Sequence, residues 1–216
     1  MATPSRDERI AAIAALNDPL GRKLYDAVSG HGDAMGRDDA AAATGIPRST
    51  AAFHLEKLVD AGLLSLAFRR SERSGPGSGR PAKVYAISEV ETAVAIPDRR
   101  YDLVGDLLAS AIESASATGE AVRESLTTIA VERGRELAEG AGDVLGLLAD
   151  LGYEPIEREG DVVLTNCPFH RLAQDHTQLI CEANLALVTG AAGAGHVVRF
   201  DPAQGRCCVT LATATQ

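Results

Sequence analysis

Three rhythms of apolar and polar positions succeed one another between Arg37 and Ser88. Residues 38–44 are almost all small: Asp38 is placed as an N-cap, the alanines favour helix and Gly45 is a stop, which predicts a short helix that a neighbour can approach closely. After the turn Gly45-Ile46-Pro47, Ala51, Leu55 and Leu58 recur at helical spacing as far as Gly62, predicting a second helix with one buried stripe. Arg48, Ser49, Thr50, His54 and Lys57 are then expected on its opposite face. The rhythm next becomes that of a hairpin, with an apolar run at 64–68, a Gly/Ser-rich tip at 71–79 and a return run at 83–87.

Upstream, residues 6–16 form a short helical candidate with Ile10 and Ile13 on one side. Asn17-Asp18-Pro19 reads as a cap followed by proline at the first helical position, and Leu20, Leu24 and Val28 repeat at i, i+4 and i+8 before Gly30 stops that helix. Periodicity fails over residues 89–100, where Pro97-Asp98-Arg99-Arg100 suggests a boundary between a domain at 1–96 and another at 97–216.

The second domain begins with two longer helical patterns. Residues 101–117 carry Leu103, Val104, Leu107, Leu108, Ala111 and Ile112, a stripe that suits either a core or a dimer interface. Residues 120–139 carry Val122, Leu126, Ile129, Ala130, Arg133 and Leu137, and a third helix is expected near 143–151. Strands are expected at 153–157, 162–165, 196–200 and 206–211, with a helical insertion in the middle. The fold class is therefore α+β, helices first and a small antiparallel sheet after them, and no internal repeat is visible.

Composition changes this picture little, since 45% hydrophobic and 24% charged residues over 216 positions is ordinary for globular chains. No apolar run reaches a membrane-spanning length, and Arg6, Asp7, Glu8 and Arg9 precede any apolar stretch, so neither a membrane partner nor a secretory signal is expected. A cytoplasmic setting with reduced thiols follows from this. Charge is more informative. Residues 1–100 hold 14 Lys+Arg against 13 Asp+Glu, whereas residues 101–216 hold 7 against 17, so the net charge of -9 arises in the second half. Screening acts over about 10 Å, which leaves a local basic patch in the first half able to meet phosphate.

That patch is the expected helix face at Arg48, Ser49, Thr50, His54 and Lys57 together with the hairpin residues Arg69, Arg70, Arg73, Arg80 and Lys83. Such donors suit base edges when a helix lies in the major groove, and a flexible basic tip suits a minor-groove or phosphate contact. Over roughly residues 16–90 the sequence resembles winged helix-turn-helix regulators of the ArsR/DeoR-like group. Ser49, Thr50 and His54 match that family's recognition-helix pattern, and Gly79-Arg80-Pro81-Ala82-Lys83-Val84-Tyr85 matches its wing. The resemblance implies binding of double-stranded operator DNA as a homodimer.

All four cysteines, Cys167, Cys181, Cys207 and Cys208, fall in the last quarter of the chain, and His170 and His176 lie between the first two. Thiolates with imidazole suit zinc, and thiolates suit iron-sulfur clusters. One straight helix would hold Cys167 and Cys181 about 21 Å apart, so a shared site requires a break. Asp175 is placed to cap a new helix from His176, with Gln178 completing a capping box. Cys207 and Cys208, read as strand neighbours, would face opposite sides; Cys207 shares the phase of Val209 and Leu211 and is the preferred ligand, with Cys208 in reserve. His196 stands apart and reads as an ordinary surface or core residue.

The run Cys-Pro-Phe-His, then Ile-Cys, then Arg-Cys-Cys is similar to the sensor region of the iron-sulfur-responsive repressors called SufR, over roughly residues 160–212. That likeness implies a cluster held by three cysteines. The doubled Cys207-Cys208 and the two histidines depart from it, so an iron-sulfur cluster, zinc as alternative, and a metal-free thiol switch or purely structural thiols all stay open. The sequence thus points to a transcriptional regulator, expected to be a repressor, that senses a cluster, a metal or redox state. One alternative is the same regulator responding to a small organic ligand with structural cysteines. Another, disfavoured because no complete catalytic set is present, is an enzyme with Cys167 or Cys181 as nucleophile and His170 or His176 as base.

Overall fold

Ser5 sets the first helix. Its hydroxyl accepts from the Glu8 amide at 3.3 Å while the Glu8 carboxylate accepts from the Ser5 amide at 2.7 Å, a capping box that opens α1 (Arg6–Ala15). The computed structural model describes residues 4–69, 81–158 and 160–213, and these divide into two compact units, Met1–Val94 and Ala95–Gln216.

In the first unit, Ala12 is the buried position of α1, while Ile10 and Ile13 lie on its exposed side. Asp18 then caps α2 (Pro19–His31), its carboxylate accepting from the amides of Leu20 and Gly21. The helix passes through Gly30 and ends at Gly32, whose φ of 77° closes it in the left-handed region. The buried face of α2 runs through Gly21, Leu24 and Val28, with Leu20 turned outward.

The short strand β1 (Met35–Gly36) leads directly into α3 (Arg37–Thr44). Asp38 is therefore not the cap: Gly36 holds that position because its backbone is paired with Val84, and Asp38 and Asp39 fall in the first turn, where they favour the helix dipole. Gly45 (φ 68°), Ile46 and Pro47 turn the chain into α4 (Arg48–Asp60). The strands β2 (Leu64–Arg69) and β3 (Ala82–Ile87) pair antiparallel, with Leu66 opposite Tyr85, and the sheet order is β1-β3-β2. Leu24, Val28, Ala51, Leu55, Leu58 and Tyr85 form the centre of this unit's core.

The second unit is built from α5 (Tyr101–Thr118), α6 (Val122–Ala138), α7 (Val144–Asp150), β4 (Pro155–Arg158), β5 (Asp161–Leu164), α8 (His170–Asp175), α9 (Thr177–Ala192), β6 (His196–Phe200) and β7 (Val209–Thr213). Its four strands are antiparallel in the order β4-β5-β7-β6, so the helical insertion α8-α9 separates two hairpin-like halves of one sheet. Most of the α5 stripe, Leu103, Val104, Leu107 and Ala111, is core, whereas Ile112 faces out.

Helices α6 and α9 cross at two glycines. A Cβ on Gly134 would stand 2.1 Å from the Leu187 carbonyl oxygen, and one on Gly190 would stand 2.1 Å from that of Val131. Only glycine permits backbone contact this close, and it draws α9, with Ile180, Cys181, Asn184, Leu187 and Val188, down into the core.

Candidate nucleic-acid interface and thiol cluster

Helix α4 presents two faces. Ala51, Leu55 and Leu58 are buried as the spacing requires, but His54 joins them at 8% exposure. Its Nδ1 lies 3.3 Å from the Asp18 carboxylate that caps α2, so it ties α4 to α2 and does not face outward. The expected assignment of His54 to a DNA-facing surface is corrected accordingly: position 54 lies one residue before Leu55, on the edge of the buried stripe. The outward face carries Arg48, Ser49, Phe53 and Lys57, with Thr50 at its border. Phe53 is outside the set of polar donors expected on this face, although Ser49, Phe53 and Lys57 stand at i, i+4 and i+8.

Several of the expected cations are engaged. The Arg48 Nε lies 2.5 Å from Asp38, and Arg69 donates to the Ala34 carbonyl at 3.0 Å beside Asp33, both on the exposed surface. Lys83 bridges to Glu56 at 2.6 Å, and Tyr85 donates to the same carboxylate oxygen at 2.8 Å. The lysine and tyrosine hydrogen bonds hold Glu56 below the ordinary glutamate range. Burial, with the Glu56 bond behind it, pushes the Tyr85 hydroxyl up to about 12. Lys83 thus clamps β3 to α4 through an ion pair whose two side chains stay partly exposed. Arg70 and Arg80, and the tip between them, lie outside the described residues.

The cysteines come from three places. Cys167 follows β5, Cys181 sits in the second turn of α9, and Cys207 and Cys208 immediately precede β7. The chain does break between Cys167 and Cys181, at His176 (φ -130°, ψ 47°), but Asp175 ends α8 and forms no cap. The Gln178 amide bonds to Glu182 instead of completing a capping box.

Because β7 starts at Val209, Cys207 and Cys208 do not alternate across a strand. The Cys207 amide donates to the Leu164 carbonyl at 2.9 Å and Asp201 donates to the Cys208 carbonyl at 2.8 Å, a bend that turns both thiols inward. The Asn184 side-chain amide reaches both sulfurs, at 3.1 Å for Cys207 and 3.8 Å for Cys208. Cys208 is therefore not a spare residue on the far face. Asn184 itself, 1% exposed, accepts from the Tyr153 hydroxyl at 2.6 Å. Asn184 lies three residues after Cys181 on an apolar helix, a signal visible in the sequence; Tyr153 left none.

The four free thiols interact as a row: Cys167 with Cys207, Cys207 with Cys208, and Cys208 with Cys181. The Cys207 thiol, donating to Cys167, holds Cys167 below the usual cysteine range, and that same donation pushes Cys207 up to about 12. Burial pushes Cys181 up to about 12, and the bond to Cys207, with burial, raises Cys208 as well. The half-buried Cys167 is the most thiolate-like of the four.

His170 and His176 lie on exposed positions, His170 opening α8 and His176 following it, and the His170 amide donates to the Cys167 carbonyl at 3.1 Å. Among the described residues no group of three or more His, Cys, Asp or Glu side chains is arranged to hold a metal ion. The chemistry of the donors suits a thiophilic group, being three buried sulfurs and the half-buried Cys167 with an amide N–H on two of them, whereas their placement is pairwise and not around one centre. Comparison with protein-family models, with curated proteins and with solved structures found no match. Among the described residues no helix is long and apolar enough to cross a membrane.

Proposed function

We propose that this protein is a DNA-binding transcriptional regulator, a winged helix-turn-helix repressor that acts as a cytoplasmic homodimer on double-stranded operator DNA. Its second unit senses an iron-sulfur cluster, a metal or redox state. The observation that carries the sensing half is the convergence of four thiols from three chain segments into one row, three of them buried and Cys167 half-buried. The DNA-binding half is supported by the order of α3, a tight turn, α4 with an outward polar face, and an antiparallel hairpin.

Cys167, Cys181 and Cys207, joined by Cys208, are the residues that would hold a cluster or zinc, with His170 or His176 as a further, exposed ligand. A bound cluster would supply oxidant sensitivity, and zinc a structural cross-link. The competing reading, a small organic effector, is favoured by one observation: a cleft of about 510 Å³ lined by Ala138, Val144, Leu147, Ala191, Ala192 and His196.

The test is anaerobic purification of the full chain, followed by an absorption spectrum, iron, sulfide and zinc analysis, and selection of duplexes from a random-sequence pool. The reading expects an enriched sequence with two-fold symmetry, and either bound metal or reversible thiol oxidation that alters binding. A pool with no enriched sequence removes the DNA-binding half; metal-free protein whose binding ignores oxidant removes the sensing half and leaves the organic effector.

A further inference from the structure

The outward face of α4 contains a feature that phosphate contacts do not explain. Phe53 is 60% exposed at the middle of that face, one turn after Ser49 and one turn before Lys57. Its ring stands edge-on to the buried His54 ring, centroids 5.2 Å apart, and the Lys57 ammonium lies 5.6 Å from its centroid. The anchored imidazole in edge contact and the ammonium over the ring flank an exposed apolar plate beside a positive charge.

Charge on this face selects the occupant. No acidic residue stands in the first turn of α4, and the Glu56 carboxylate is consumed by Lys83 and Tyr85. Asp38 is paired with Arg48. The next exposed carboxylate on the helix, Asp60, is seven residues along, about 10 Å. An apolar plate with a neighbouring ammonium matches the floor of the DNA major groove, where the thymine 5-methyl is the one apolar group on a base edge and acceptors and phosphates lie beside it.

We propose that Phe53 is a specificity-determining residue that packs on the 5-methyl group of a thymine in each half-site, with Lys57 held over the ring to meet an adjacent acceptor or phosphate. This rests on the DNA-binding reading above, and it names the base that reading leaves open. The expected recognition set thereby changes, since His54 is turned inward and Phe53 occupies the outward place.

Duplexes selected from a random pool by the full-length protein are rebuilt with uracil in place of thymine, one position at a time, which removes only the methyl group. Wild-type protein is expected to bind about fourfold more weakly when the methyl under Phe53 is removed. Phe53→Ala should bind the thymine duplex more weakly and show no response to uracil at that position, and Phe53→Leu should retain part of the response. Both variants should keep the wild-type unfolding midpoint, because the ring is exposed. If Phe53→Ala keeps the wild-type pattern of uracil sensitivity, or weakens binding equally on every duplex, the methyl contact is wrong while DNA binding stands. Failure of the pool to yield any sequence overturns the DNA-binding reading, and this contact with it.

Discussion

Asn184 donates to the Cys207 sulfur at 3.1 Å and accepts from the Tyr153 hydroxyl at 2.6 Å, so one buried amide joins the thiol row to the aromatic core. Removing one partner leaves the other unsatisfied in dry surroundings, which costs roughly 1–3 kcal/mol. Asn184→Leu and Tyr153→Phe are each expected to lower the urea midpoint, and the double variant should lose less than the sum. Strict additivity in a double-mutant cycle would show that the two groups are uncoupled.

The glycine crossing gives a sharper contrast. Gly134→Ala or Gly190→Ala places a methyl carbon against backbone atoms of the facing helix, which no rotamer change can relieve, and is expected to destabilise by about 3 kcal/mol or to abolish folding. Gly105→Ala, in α5 with open space at its Cβ, should be neutral or stabilising by about 1 kcal/mol. Thermal unfolding of the three variants checks this, and equal effects would contradict the crossing.

Acid stability follows from Glu56. Its folded value is depressed by Lys83 and Tyr85, so the unfolded chain takes up the proton first; the contribution is full above the ordinary value of 4.5 and is lost as pH falls through the lower folded value. Glu56→Gln should be less stable than wild type at pH 7, with the difference shrinking below pH 4.5. A difference independent of pH would mean that the carboxylate charge is irrelevant to the clamp. Asp18 and Glu8, also depressed by backbone amides, remain in both proteins and cancel from the comparison.

Thiol reactivity should separate the four cysteines. Cys167 is half-buried and thiolate-like, so it is expected to react first with iodoacetamide at pH 7 in metal-free protein, while Cys181 and Cys207, pushed up to about 12, react slowly until the chain unfolds. Peptide mass mapping against time reads the order. Each Cys→Ser variant, Cys208→Ser included, should lower bound metal or abolish reversible oxidation, because all four belong to one row. Should Cys208→Ser behave as wild type, the bend before β7 does not present its sulfur to the others.

Much of this arrangement was legible because local signals agreed. Asp18-Pro19, Gly45 and the stripe of Ala51, Leu55 and Leu58 all act within a few residues. What the sequence concealed depended on distant partners. His54 reads as an exposed donor until Asp18 of another helix is brought against it, and Asp38 reads as a cap until Gly36 is claimed by β3. The two thiols at 207 and 208 read as strand neighbours because Val209 and Leu211 continue the alternation; the bonds to Leu164 and from Asp201 delay the strand. Asn184 and Gly134 belong to ordinary helical patterns, and only the helix crossing and the thiol row give them work.

The proposed control of DNA binding by the thiol row is read from affinity for a selected duplex. The full-length protein is prepared without oxygen, measured against the duplex, exposed to peroxide and measured again, beside a variant with all four cysteines replaced by serine. Oxidation is expected to change wild-type affinity by tenfold or more, about 1.4 kcal/mol, while the serine variant stays at one value throughout. Equal affinity of wild-type protein before and after oxidation, or an unchanged response in the serine variant, would contradict it.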